Sequence, residues 1–161
     1  MRRNCLRLAP FVAIAGVLSL LWVVAALAAQ PTPGKAYSGP TTATYHGHTA
    51  TVSFKVSSNG KQLLGFRWAG GACEGLGGGG NPYLSSYLNY PLGTIPVSST
   101  GTFSIANVKV TSSDGTPTKT VTSTVSGRFT TASTATGTIH YTSKSVQWHC
   151  NGTQTFTAKS R

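Results

Sequence analysis

The sequence predicts an all-β domain, an antiparallel β-sandwich of the jelly-roll or immunoglobulin-like type. Short runs in which apolar and polar residues alternate follow one another along most of the chain, and this period of two is typical of strands with one buried face. Turn dipeptides such as Asn59-Gly60 separate the runs. No segment beyond the N-terminal apolar run has the spacing of an amphipathic helix, which favours a sandwich of roughly eight to ten strands and leaves a barrel as the alternative.

Residues 1–28 have the pattern of a secretory signal peptide. A basic start is followed by a long apolar run that ends in Ala26-Leu27-Ala28, a small-residue motif that signal peptidases cleave. We therefore expect a signal helix that is removed after Ala28, and a protein that is secreted to the exterior or the cell surface. The membrane would be contacted only through an uncleaved signal. Residues 29–35 are interpreted as a linker and residues 36–161 as one β-sandwich domain, expected to be monomeric.

The first half of the domain carries the clearest strand pattern. In residues 49–57, Val52, Phe54 and Val56 alternate with polar residues, so the three should share a buried face. Asn59-Gly60 should close a hairpin into residues 62–69, where the same parity places Leu64, Phe66 and Trp68 together. The preceding residues predict two short strands, 36–39 and 42–46, that are separated by Pro40.

The remaining elements follow a glycine-rich loop at residues 70–81. Its glycines match a dinucleotide-binding spacing, but Pro82 blocks the helix that this motif requires. An aromatic strand is possible at residues 83–90, where Pro91 would end it. Asn151-Gly152 predicts a final hairpin, because this dipeptide favours a type I′ turn. Further strands are expected at residues 94–97, 102–110, 118–126, 127–130 and 137–141.

The chain is strongly basic and poor in acidic residues. It contains 13 Lys and Arg against two acidic residues, and ten of the basic residues lie beyond the signal, which leaves the domain at a net +8. The positive charges are dispersed, with no cluster of interleaved aromatic residues of the kind that binds nucleic acid. We expect an anionic cell-wall polymer or polysaccharide as the partner, and no specific nucleic acid.

Cysteine usage predicts one disulfide. Once Cys5 leaves with the signal, Cys73 and Cys150 remain in a chain that is addressed to an oxidising compartment. The alternative, metal ligation, is disfavoured because structural zinc requires four ligands and the usual close spacing of cysteines is absent.

Several short motifs resemble those of a known group of proteins. A V-x-F-x-V strand is followed by Asn-Gly within residues 52–60, a mid-chain cysteine follows an aromatic strand, and Cys150 comes before residues 155–159. Between them lie Gly101-Thr102-Phe103-Ser104, Gly127-Arg128-Phe129 and residues 135–139. Together these resemble small secreted bacterial β-sandwich proteins of unknown function with one disulfide. The resemblance implies the fold and the disulfide, and it carries over no catalytic residue.

The distribution of chemical groups argues against an enzyme. Glu74 lies in the glycine-rich loop and Asp114 in an Asp-Gly turn, so a pair of catalytic carboxylates is not predicted. No cofactor and no metal are expected. The weak metal candidates are His46 and His48, with His140 or His149 as a further ligand, and they leave a metal-dependent or serine hydrolase as an alternative. A protease inhibitor that presents residues 70–82 is a second alternative.

Exposed aromatic residues supply the predicted binding site. Tyr83, Tyr87, Tyr90 and Trp148 lie in or near the polar, glycine-rich part of the pattern, where aromatic rings could stack on sugars. The sequence thus predicts a secreted, non-catalytic β-sandwich that binds an anionic or carbohydrate polymer at the cell surface.

Overall fold

The computed structural model describes residues 29–45, 48–69, 73–75, 89–112, 120–144 and 148–161, and only the backbone at residues 45, 48, 73–75, 144 and 148–150. Within these ranges the chain forms β-strands and no helix. The strands are β1 (Ala36–Tyr45), β2 (His48–Val56), β3 (Gln62–Ala69), β4 (Cys73–Gly75), β5 (Asn89–Pro96), β6 (Thr102–Thr111), β7 (Thr120–Thr131), β8 (Thr134–Lys144) and β9 (Trp148–Ser160).

The predicted sandwich is wrong, because the strands form one nearly closed, barrel-like sheet. All pairings are antiparallel, and the order is β5-β3-β2-β1-β9-β8-β7-β6, with β4 added beside part of β9. The two ends of this order meet where Val97 bridges to Phe103. The predicted signal helix lies in residues 1–28, outside the described residues. In the part of the chain that the structure covers, no helix has the length and apolar character needed to cross a membrane.

Strand β1 is the reason that one sheet forms instead of two. It pairs with β2 on one side and with β9 on the other, so it joins the first and last parts of the chain by backbone hydrogen bonds. Gly39 permits this close approach. A Cβ atom at Gly39 would overlap the carbonyl oxygen of Thr157 and lie 2.8 Å from its carbonyl carbon.

The interior is filled by the inward-facing residues of all the long strands. Val52, Phe54 and Val56 are buried, as the alternation predicts. The ring of Phe54 stacks on Tyr37 at 5.2 Å and on Phe66 at 5.5 Å between centroids. Burial of such rings is the largest source of apolar stabilisation in a domain of this size.

Leu64 does not join this core, contrary to the prediction. The β2–β3 hairpin forms at the predicted turn, but its register shifts between Ser53 and Lys55, and Gly65 adopts a positive φ of 59°. An irregularity of one residue moves the neighbouring side chain to the other face. Leu63 is therefore buried beside Phe66, and Leu64 is exposed.

The predicted turn at Asn151-Gly152 is also wrong. Both residues lie inside β9, which pairs with β8 along its whole length in one unbroken register. The glycine serves a different purpose, since a Cβ atom at Gly152 would overlap the hydroxyl and ring of Tyr141. Asn151-Gly152 therefore marks a site of close packing against Tyr141 and not a chain reversal, unlike Asn59-Gly60.

Two prolines lie within strands where the sequence predicts interruptions. Pro40 is part of a continuous β1, and the β1–β2 register shifts between Pro40 and Thr44. Pro91 lies inside β5, which pairs only with β3 along its length and is an edge strand in the described sheet. An edge position suits proline because no second ladder requires its missing N–H group.

One buried polar side chain gives a testable consequence. Gln154 is 2% exposed, and neither its Nε2 nor its Oε1 atom has a hydrogen-bond partner among the described residues. Gln154→Met should raise the free energy of unfolding by about 1–3 kcal/mol, because it removes the desolvation cost of the amide and keeps the side-chain volume. Urea unfolding measures this, with exposed Gln62→Met as the matched control. A loss of stability in Gln154→Met would contradict the conclusion that the buried Gln154 amide lacks hydrogen-bond partners.

Candidate anion-binding surface

Of the four aromatic residues in the predicted sugar-binding platform, the structure describes the side chain of Tyr90 alone. Tyr90 is 1% exposed, and its ring stacks on Trp68 with 4.5 Å between centroids, so it belongs to the core and offers no surface for a sugar. Tyr83 and Tyr87 lie outside the described residues. For Trp148 the structure gives the backbone, at the start of β9.

The histidines form no metal site within the described residues. His140 is exposed on β8, where its Nδ1 atom lies 3.0 Å from the Oγ1 atom of Thr153. His46 lies outside the described residues, and His48 and His149 are described by backbone alone. Among the side chains that the structure describes, no three His, Cys, Asp or Glu come together.

The two cysteines are direct neighbours in the sheet. In the β4–β9 pair, Cys73 and Cys150 are opposing partners. Opposing residues of antiparallel strands generally have Cα atoms about 4.5–5.5 Å apart, which lies within the range that a disulfide spans. The backbone register is therefore compatible with the predicted disulfide, which stays a prediction.

A row of polar and basic residues crosses the outer face of four adjacent strands. Lys159 of β9 opposes Ser38 of β1, Ser38 opposes Ser53 of β2, and Ser53 opposes Arg67 of β3. All four point outward, because each has at least one buried neighbour in its strand, whose side chain points to the opposite face. With adjacent strands about 4.8 Å apart, Lys159 and Arg67 flank the two serines across about 14 Å.

A second row lies beside the first. Lys55 opposes Ala36 in the β1–β2 pair, and the backbone N–H of Arg161 donates to the Ala36 carbonyl at 3.0 Å. The same register places exposed Leu64 beside Lys55. We name the outer surface formed by these two rows the basic face, after its six polar members: Ser38, Ser53, Lys55, Arg67, Lys159 and Arg161.

The small serine side chains leave two adjoining surface depressions within the basic face. The larger, of about 540 Å³, has Lys159, Arg161 and Gly39 in its lining. The smaller, of about 310 Å³, has Lys55, Arg67 and Arg161 in its lining. Ser38, Ser53 and Arg161 belong to both, so the two depressions form one continuous groove edged by cations.

The electrostatics of this groove are those of an anion site. Its four cationic side chains are all exposed, and the structure describes no Asp or Glu side chain near them, since Glu74 and Asp114 are outside the described side chains. A group of like charges on one surface attracts ligands of the opposite charge and raises their rate of association. Because the charges are exposed, that attraction should weaken at high salt.

Sequence reasoning missed this site. The cations are spread from residue 55 to residue 161, and no local cluster marks them. A usable signal was present in the parity of Lys55 and Lys159, which occupy outward positions of their strands. Only the pairing of β1 with β9 places the two parts of the chain side by side.

Comparison with protein-family models, with curated proteins and with solved structures finds no match for this chain.

Proposed function

We propose that this protein is a secreted, non-catalytic β-domain that binds an anionic polymer at or near the bacterial cell surface. The observation that carries the proposal is the basic face, where four cations from β2, β3 and the β9 end line a groove together with Ser38 and Ser53. The signal-like residues 1–28 support export, and the scarcity of acidic residues supports a binding role over acid–base catalysis.

The width of the groove favours a polymer over a small anion. The backbone positions of Lys159 and Arg67 lie about 14 Å apart across the strands, so one phosphate, sulfate or carboxylate group would meet both cations only if both long side chains bent toward it. A chain with repeated charges can contact both cations, and the second contact then forms at a high effective concentration. Each exposed contact is weak by itself, so several are needed for measurable affinity.

Cosedimentation with purified bacterial cell wall tests this function. The expected result is retention at low ionic strength that declines steeply as salt is added, because four cationic contacts release bound counterions and give a log–log slope of about −3. Wall material from which the anionic polymers have been extracted is the control. Absence of retention at the lowest salt, or retention that does not depend on salt, would contradict the proposal.

A further inference from the structure

We propose that the polymer bound by the basic face is an anionic polysaccharide, with charged groups carried on sugar rings, and not a chain of phosphates alone. This inference rests on the proposed function and specifies its ligand class. It is carried by the groups that share the groove with the cations.

Hydroxyl groups are as frequent as charges in the groove. The larger depression is lined by Ser38, Thr51, Ser53 and Ser160, alongside its two cations. A hydroxyl both donates and accepts hydrogen bonds, so it can pair with the hydroxyls of a sugar in either direction. The oxygens of a fully ionised phosphate chain only accept, and they would leave the acceptor capacity of these side chains unused.

Apolar surface lies at both ends of the same groove. Pro40 is exposed in the lining of the larger depression, and Leu64, which is 37% exposed, lies in the lining of the smaller one. Leu64 is the exposed large hydrophobic residue of the described side chains. Sugar rings have apolar C–H faces that can cover such groups and remove them from water, whereas a polyphosphate has no apolar surface to offer.

The test compares two probes of matched charge number, polygalacturonate and inorganic polyphosphate, by fluorescence anisotropy at fixed salt. The double variant Thr51→Val with Ser53→Ala removes two groove hydroxyls and leaves every charge in place. Since two neutral hydrogen bonds are lost, affinity for polygalacturonate should fall about tenfold, while affinity for polyphosphate should change less than twofold.

The matched control is Thr138→Val with Thr155→Val. These residues oppose each other on the outer face of β8 and β9, outside the groove lining, so both affinities should stay unchanged. Thermal unfolding of each double variant checks that it remains folded, and single variants replace any that does not.

Three outcomes would overturn the inference. Tighter binding of polyphosphate than of polygalacturonate, or an unchanged polygalacturonate affinity after removal of the hydroxyls, rejects the polysaccharide assignment and leaves anionic-polymer binding in place. Absence of binding to both probes at low salt rejects the proposed function together with the inference.

Discussion

Replacing both Cys73 and Cys150 with serine should lower the free energy of unfolding by about 4 kcal/mol. The two residues oppose each other in the β4–β9 pair, and a disulfide between them would close a loop of about half the chain. Constraint of the unfolded state by a loop of that length accounts for a loss of this size. It is comparable with the whole net stability of a small domain. Urea unfolding of the mature domain, purified under oxidising conditions, measures it.

Reduction of the unmodified protein provides the control. A reducing agent should destabilise the wild-type domain to a similar extent and leave the double serine variant unaffected. Two free thiols in the oxidised mature protein, or equal stability of the wild type and the variant, would show that Cys73 and Cys150 are not bonded.

Gly39→Ala should lower the free energy of unfolding by about 3 kcal/mol. We expect this to be the largest loss caused by adding one methyl group on the outer surface of the sheet. The added Cβ atom would overlap the carbonyl oxygen of Thr157, and it would lie 2.8 Å from the carbonyl carbon of Thr157 and 2.9 Å from the Cα atom of Ala158. Backbone in a paired strand cannot move aside as a flexible side chain can, so the β1–β9 pairing itself must yield. Calorimetric unfolding measures the loss as a fall in Tm.

Ser38→Ala is the matched control, because it alters the adjacent residue of the same strand and adds no atom. Its effect on stability should stay within about 0.5 kcal/mol, as for other surface substitutions. A Gly39→Ala variant as stable as the wild type would contradict the close β1–β9 contact that joins the first and last parts of the chain in one sheet.

Much of the strand content could be predicted from the alternation of apolar and polar residues. The nearly closed sheet could not be predicted from that pattern. The pattern of Val52, Phe54 and Val56 specifies a strand with one buried face, and all three are buried. A sandwich and a barrel both bury alternate residues, so the pattern is the same for either. The choice between them depends on β1 pairing with a strand more than 100 residues later, a contact that no local signal encodes.

The errors at individual residues have local physical causes. Leu64 shares the parity of Phe66 and Trp68, but the irregularity at Gly65 reverses its face and places it at the groove. Tyr90 follows a polar stretch of sequence that is typical of a surface segment, yet its ring stacks on Trp68 inside the sheet. In both cases a backbone irregularity or a distant partner outweighed the pattern of the neighbouring sequence.

The basic face could not be located before the register was known. Composition alone indicated an affinity for anionic polymers, because the chain beyond the signal contains ten basic residues and two acidic ones. It did not indicate where on the domain the polymer would bind. Cations that are far apart in the sequence can be close together across the sheet. The spacing across the sheet determines which charges a ligand contacts.

The most direct test of the account compares two charge-reversal variants that have the same net charge. Arg67→Glu with Lys159→Glu places two negative charges at opposite ends of the basic face, whereas Lys109→Glu with Arg128→Glu makes the same change on β6 and β7, away from it. Binding of each to labelled polygalacturonate is measured by anisotropy over a range of salt concentrations.

We expect the first variant to lose affinity by about 100-fold or more at low salt, with a shallower dependence on salt, because two contacts are removed and replaced by repulsion. The second variant should lose less than about fivefold, through the change in net charge alone. Equal losses in the two variants would show that binding follows the overall charge of the domain and that the basic face is not its site.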